Sequence, residues 1–213
     1  MFISNEITAY IESLVPEREP AIIEIEKYAK EHRIPIMELV GMESMLQFLK
    51  LLQPKVILEI GTAIGYSAIR MAKALPNAQI TTIERDKIRY DKAIENIAAM
   101  NLQEQITVIF GDALETKEQV SQYGPFDCIF IDAAKGQYMR FFELYSALLN
   151  HHGVIFSDNV LFRGFVAKAN VEEKRHQSLV DKIKGYNKWL MNHPEFETTI
   201  LTVGDGIAIS RKR

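Results

Sequence analysis

The sequence predicts an α/β fold: a doubly wound, mostly parallel seven-stranded sheet with N-terminal cap helices. Three observations carry that expectation. Between residues 55 and 157, short apolar runs alternate with stretches of helical spacing, the pattern of a parallel sheet covered on both faces. The first run, Val56–Ile60, passes through Gly61 and Gly65 into a helical stretch, as a first parallel strand turns into its helix. The last two runs, Glu197–Val203 and Gly206–Arg211, meet at Gly204-Asp205-Gly206, which reads as a hairpin.

The elements follow in order. Residues 4–32 read as helical, with Ile7, Ile11, Leu14 and Val15 at helical spacing, an interruption at Pro16 and Pro20, and a second run through Ile22, Ile25 and Tyr28. This segment precedes the first strand and reads as a cap or an oligomer contact. A further helix carries Met42, Met45, Leu46, Leu49 and Leu52 up to Pro54; its methionines read as core filler. Strands are expected at 56–60, 79–84, 106–110, 126–131 and 153–157. The helices between them are expected at 66–74, 86–100, 115–123 and 138–149. The 86–100 helix would present Ile88, Ala93, Ile94 and Ile97. A loop follows at 160–166 and a polar amphipathic helix at 172–191.

The 213 residues fit one domain, with 1–54 as helical cap and 55–213 as core. The lone cysteine, Cys128, excludes an internal disulfide and a cysteine zinc site, and its place inside 126–131 suggests a buried, inert thiol. No apolar run reaches the roughly 18 residues needed to span a bilayer. The N-terminus has Glu6 and Glu12 and no basic flank, unlike a signal peptide, so a cytoplasmic location is expected. The net charge of −3 does not mark a nucleic-acid binder, but it is uneven. Residues 160–213 hold ten Lys/Arg against six Asp/Glu, the rest 15 against 22. Such a basic quarter is either a phosphate-facing patch or a solvated surface.

In an open α/β sheet, ligands lie outside the carboxyl ends of the strands. There the chain places Glu59-Ile60-Gly61, Glu84, Gly111-Asp112-Ala113 and Asp132. Gly61-x-x-x-Gly65 is compatible with a nucleotide site or with a tight structural turn. Glu84, 19 residues past Gly65, can accept from both hydroxyls of a ribose, or cap a helix, or pair with Arg85 or Arg89. The turn lacks the middle glycine of a dinucleotide fingerprint, which favours a nucleoside cofactor without pyrophosphate; Ser67 and nearby backbone donors could hold an amino-acid carboxylate. Asp112 could accept from an adenine amino group or cap the next helix. Further on, Asp132 and the pair Asp158-Asn159 end neighbouring strands. Three oxygen ligands without His or Cys suit a hard cation such as Mg²⁺. Lys135 would enter the same pocket or lie on the surface. A divalent ion and partial burial both favour a neutral amine, which makes Lys135 a candidate general base.

A doubly wound sheet closed by an antiparallel hairpin is the layout of S-adenosylmethionine-dependent methyltransferases. Leu58–Ser67, Ile131–Lys135, Ser157–Leu161 and Val203–Gly206 together resemble the cation-dependent O-methyltransferases, the family of the catechol and caffeoyl-CoA enzymes. The resemblance covers the chain from about Arg33. It implies a class I, Rossmann-like fold with S-adenosylmethionine and Mg²⁺ as cofactors. It implies Met37, Glu59, Gly61, Ser67, Glu84, Ala113 and Asp132 around S-adenosylmethionine. Asp132, Asp158 and Asn159 would be metal ligands, Lys135 the base, and the chain a homodimer.

Within the family, Asp158–Val166 and the ending Ser210-Arg211-Lys212-Arg213 resemble the bacterial enzymes that methylate 5-hydroxyuridine at the tRNA wobble position. On that reading the partner is a tRNA anticodon region. Arg163, Lys168, Lys174, Arg175, Lys182, Lys184 and Lys188 would meet phosphates, and Phe162 or Phe165 would stack on an unpaired base. The motifs serve a small catechol-like acceptor equally well: in both acceptors two vicinal oxygens can chelate one cation. A sensor or scaffold that only binds S-adenosylmethionine would have no use for an open metal site.

Overall fold

The computed structural model describes residues 5–168 and 174–213. Three helices precede the sheet: α1 (Asn5–Leu14), α2 (Pro20–Glu31) and α3 (Leu39–Leu52). Then β1 (Val56–Ile60), α4 (Tyr66–Ala74), β2 (Gln79–Glu84), α5 (Lys87–Ala99) and β3 (Ile106–Phe110) make the first half. The second half runs α6 (Lys117–Ser121), β4 (Phe126–Ile131), α7 (Tyr138–Ser146) and β5 (Leu149–Ser157). The chain ends in α8 (Lys174–Met191) and the strands β6 (Phe196–Leu201) and β7 (Ile207–Lys212).

The seven strands lie in the order β3-β2-β1-β4-β5-β7-β6. The first five are mutually parallel, and β7 runs antiparallel to both β5 and β6. The order reverses between β1 and β4, so the crevice for a ligand opens at their carboxyl ends. Side chains along each strand alternate between two cores, as the two-residue period requires. Ile57, Cys128 and Phe130 join Met42, Met45 and Leu49 on one face. Leu58, Ile129 and Ile131 join Phe142, Tyr145 and Leu190 on the other. Cys128 is fully buried and burial pushes its thiol up, away from the reactive thiolate.

A polar network fastens the cap. Arg70, on α4 and only 7% exposed, pairs with Glu43 on α3 and donates to the Tyr66 hydroxyl at 2.8 Å. Tyr66 donates to Glu26 on α2 at 2.9 Å, and Glu26 also receives Arg18 through Nε and Nη2 at 3.2 and 2.9 Å.

Three expectations need correction. On α5 the buried face is Ala93, Asn96 and Ile97, whereas Ile88 and Ile94 are exposed. Asp86 caps the helix through the amides of Ile88 and Arg89, and Asn96 donates to the Ile64 carbonyl at 2.8 Å, which fixes the helix phase. On α1, Ile7 and Leu14 face outward. α7 ends at Ser146, three residues early, because Leu149 pairs with Phe126 and opens β5 before the polar residues Asn150, His151 and His152.

Candidate active site

At the end of β1 the chain turns through Gly61, whose φ is +107°. A Cβ there would fall 2.0 Å from the Asp132 carbonyl oxygen, so the glycine lets β1 and β4 close together as much as it admits a ligand. The turn is held by the Gly61 and Thr62 amides, both donating to the Ile83 carbonyl at 3.1 Å. The next strand ends continue the ladder: the Asp132 amide donates to Ile60 at 2.9 Å, and the Asp158 amide to Ile131 at 3.1 Å. Those two bonds bring both aspartates to one rim.

A cavity of about 510 Å³ opens on this rim. Gly61, Ser67, Glu84, Asp112 and Ala113 line one side, Met37 another, and Asp132, Lys135, Asp158, Asn159 and Arg163 the rest. The strand ends thus bring these expected residues together. Phe162, Phe165 and Lys168 do not line it. The two rings pack edge to face at 5.5 Å, and the Lys168 ammonium lies 4.9 Å from the Phe165 ring centre.

Glu59, expected around the cofactor, is not among the residues that line the cavity. It is fully buried beneath the turn and accepts from the hydroxyls of Ser67 and Thr82; Thr82 in turn shares a 2.6 Å bond with Thr62. Burial pushes its carboxyl up to about 7, against the pull of the Ser67 and Thr82 hydrogen bonds. Glu59 therefore supports the turn from below.

Glu84 is 7% exposed. One oxygen accepts from the Ala63 amide and the other from the Asp86 amide, each at 2.8 Å. Each oxygen keeps a second lone pair, and Glu84 is among the lining residues. Asp112 accepts from the Leu114 amide at 2.9 Å and meets Arg85 at 3.3 Å; it closes its own turn rather than capping the next helix, whose N-cap is Thr116, and it lines the cavity.

Asp158 is 3% exposed, and burial pushes its carboxyl up, with the Asp132 charge adding to the effect. Asp132 is likewise raised by burial, with Lys135 pulling the other way. Asn159 adopts a left-handed backbone, φ 56°, and its side-chain oxygen accepts from the Lys135 ammonium. Two buried carboxylates that repel each other, with a carboxamide oxygen beside them, form a donor set that fits a hard cation. Lys135 supplies the positive charge to that set here. Among the described residues no three His, Cys, Asp or Glu side chains cluster as metal ligands, so such an ion would rely on the two carboxylates, the carboxamide and solvent.

Some lining residues escaped the sequence reading. Asp205 faces the cavity and adds to the negative field on Asp158; its Gly-Asp-Gly setting signalled only a turn. The Arg163 amide donates to Asp205 Oδ1, and the Leu161 amide to its carbonyl at 2.9 Å, so the hairpin turn holds the 160–164 loop against the site. Glu38 and Arg89 also line the cavity, and nothing in their local sequence marked them.

Comparison with known proteins agrees with this geometry. A family model described as O-methyltransferase matches residues 12–213. A catechol O-methyltransferase of Niastella koreensis is 32% identical, over 98% of this chain and 97% of its own. Caffeoyl-CoA O-methyltransferase 2 of Populus trichocarpa is 30% identical, over 98% and 89%. The crystal structure of a Staphylococcus aureus protein superposes with a TM-score of 0.91 at 37% identity, over 96% of this chain and 98% of its own. The O-methyltransferase of Bacillus cereus in complex with SAH gives 0.83 at 26%, over 96% of each. With its seven-stranded sheet, its strand-end cavity and a family match across most of its length, the chain belongs to the S-adenosylmethionine-dependent O-methyltransferases of the catechol and caffeoyl-CoA type.

Proposed function

We propose that the chain uses Mg²⁺ as well as S-adenosylmethionine, and that its acceptor is 5-hydroxyuridine at the wobble position of tRNA. The observation that supports this acceptor is a cavity-lining arginine with lysines of the following loop and of α8 grouped near it. Arg163 lines the cavity. The Lys182 ammonium lies 3.6 Å from where a Cβ on Gly136 would sit, one residue past Lys135. Lys184 donates to the Lys168 carbonyl at 2.9 Å, which brings those two lysines together. Such a strip suits a phosphodiester backbone. Lys188 lies one turn further along α8; the side chains of Lys174 and Arg175 lie outside the described residues.

On this reading each residue has a defined task. Glu84 accepts from the ribose hydroxyls of the cofactor with its remaining lone pairs, while Met37 and Ala113 wall the nucleoside. Asp112 accepts from the adenine amino group. Ser67 donates to the amino-acid carboxylate. Asp132, Asp158 and Asn159 hold the cation. S-adenosylmethionine supplies an electrophilic methyl group, and a divalent ion at these ligands makes an acceptor hydroxyl more acidic. With a divalent ion supplying the positive charge in its place, Lys135 Nζ, beside Asn159, would be the neutral amine that takes the proton lost by the acceptor oxygen. Phe162 and Phe165 flank Arg163 and offer rings to a flipped-out base.

A second reading, a small catechol-like acceptor, is favoured by the relatives, among them a catechol O-methyltransferase at 32% identity. Vicinal hydroxyls would meet the same three oxygen ligands, so turnover of catechol alone does not separate the two. The separating experiment transfers labelled methyl groups onto bulk tRNA from cells that lack this protein, followed by nucleoside analysis. The tRNA reading expects a new 5-methoxyuridine peak. Competent tRNA that gains no such peak would leave the small-molecule reading.

A further inference from the structure

Among the described residues, two buried side-chain polar atoms have no hydrogen-bond partner, and one of them is the Tyr138 hydroxyl. Tyr138 opens α7 three residues beyond Lys135 and is 1% exposed. Its chain neighbour Gln137 and, one turn on, Phe141 line the cavity, which puts Tyr138 directly behind the lining. Its ring lies edge-on to Tyr186, with centroids 5.6 Å apart. The Tyr186 hydroxyl in turn shares a 2.7 Å bond with Ser157, the residue before Asp158. Burial raises the Tyr138 hydroxyl, and the carboxylates of Asp132, Asp158 and Asp205 act on it in the same direction, Asp132 most.

A buried hydroxyl is costly unless its donor finds an acceptor, and the carboxylates that act on Tyr138 are the acceptors of this region. Packing does not call for it, since Phe141 and Phe142 fill neighbouring positions with no hydroxyl. A water bridge fits a gap of this kind where both sides are polar. We propose that Tyr138 is a positioning residue for the candidate cation site: its hydroxyl donates through one bridging water to the Asp132 carboxylate and fixes the direction in which that carboxylate faces. The role rests on the reading of Asp132, Asp158 and Asn159 as cation ligands. Outer groups that orient a ligand typically change metal affinity by about 10- to 100-fold when removed.

Tyr138→Phe deletes the hydroxyl and keeps the ring. Titration of the full-length wild type and variant with Mn²⁺ alone, followed by calorimetry and by the Mn²⁺ spin-resonance signal, reads the effect without catalysis. The expected result is Mn²⁺ affinity about tenfold weaker in the variant, with S-adenosylmethionine affinity and melting temperature not lowered. A purely structural tyrosine would instead lower the melting temperature and leave Mn²⁺ affinity in place. Equal Mn²⁺ affinity in the two proteins overturns the role of Tyr138 while the cation reading stands. No Mn²⁺ binding by the wild type overturns the cation reading and this role with it. Should Tyr138→Phe fold poorly, Tyr138→Met, titrated with Mn²⁺ in the same way, serves as the second variant, and unchanged Mn²⁺ affinity there overturns the role equally.

Discussion

Glu59 shows how a residue can matter to a site without lining it. The acidic residue at the end of β1 was legible, because it stands just before Gly61. Its direction was not, because Glu59 and Ile60 point to opposite faces of a pleated strand and the turn at Gly61 then covers the glutamate. Its acceptors are met by Ser67 and Thr82, on α4 and β2; only the fold brings those hydroxyls together. Burial raises the carboxyl from 4.5 to about 7. A raised folded-state value means that the neutral form is the one favoured in the fold. Its contribution to stability is therefore full below pH 4.5 and is lost as pH rises through about 7. Glu59→Gln keeps the shape and removes the titration, and the Thr82–Thr62 hydroxyl pair can reverse its direction to accept the amide. Urea unfolding at pH 5 and pH 8 should show the wild type losing up to about 3 kcal/mol across that interval through this group, and the variant losing correspondingly less. Parallel pH profiles would show that Glu59 is ionised throughout.

At the scale of elements, the strands and their order of appearance could be read from apolar runs; the spans of β1 to β4 agree with expectation, whereas β5 begins four residues early, at Leu149. Helix faces were harder. On α5 the isoleucines at 88 and 94 suggested a stripe, but the Asp86 cap and the Asn96 bond to Ile64 turn the helix so that alanine and asparagine pack inward. A polar anchor of that kind has no periodic signature. The cap helices present the same lesson. Their methionines and leucines read as core, while the Arg18–Glu26–Tyr66–Arg70–Glu43 network joining α2, α3 and α4 involves residues up to 52 positions apart in the chain. Arg70→Ala would leave Glu43 and the Tyr66 hydroxyl without their cation. Because Glu43 is partly exposed, a loss of about 3 kcal/mol is expected, the low end for breaking a buried pair. Chemical denaturation reads it directly, and a loss below about 1 kcal/mol would class the network with ordinary surface pairs.

For the whole molecule, the order β3-β2-β1-β4-β5-β7-β6 explains why residues spread from 37 to 205 share one cavity. Gly61, Glu84, Asp112, Asp132, Asp158 and Asn159 sit at or just past a carboxyl end, where parallel strands deliver their loops to the same side. That much followed from the alternation of strand and helix. What it could not give was Asp205, which arrives on the antiparallel hairpin from the far edge and reaches the site by holding the loop at 160–164. No helix among the described residues is long and apolar enough to cross a membrane. On the proposed function, the acceptor would be chosen around the Asp132, Asp158 and Arg163 rim, whereas the turn at Gly61 would serve the methyl donor.

The reading of that rim depends on whether its carboxylates hold a cation that transfer requires. Labelled-methyl transfer from S-adenosylmethionine to a catechol probe, run with Mg²⁺ and with a chelator, on wild type and on Asp158→Ala, decides it. Wild-type transfer should fall at least about 100-fold when the cation is removed, and Asp158→Ala should lose it to the same degree in the presence of Mg²⁺. Cofactor binding should persist in the variant. Transfer by the wild type that is indifferent to the chelator, or full activity in Asp158→Ala, would contradict the metal assignment.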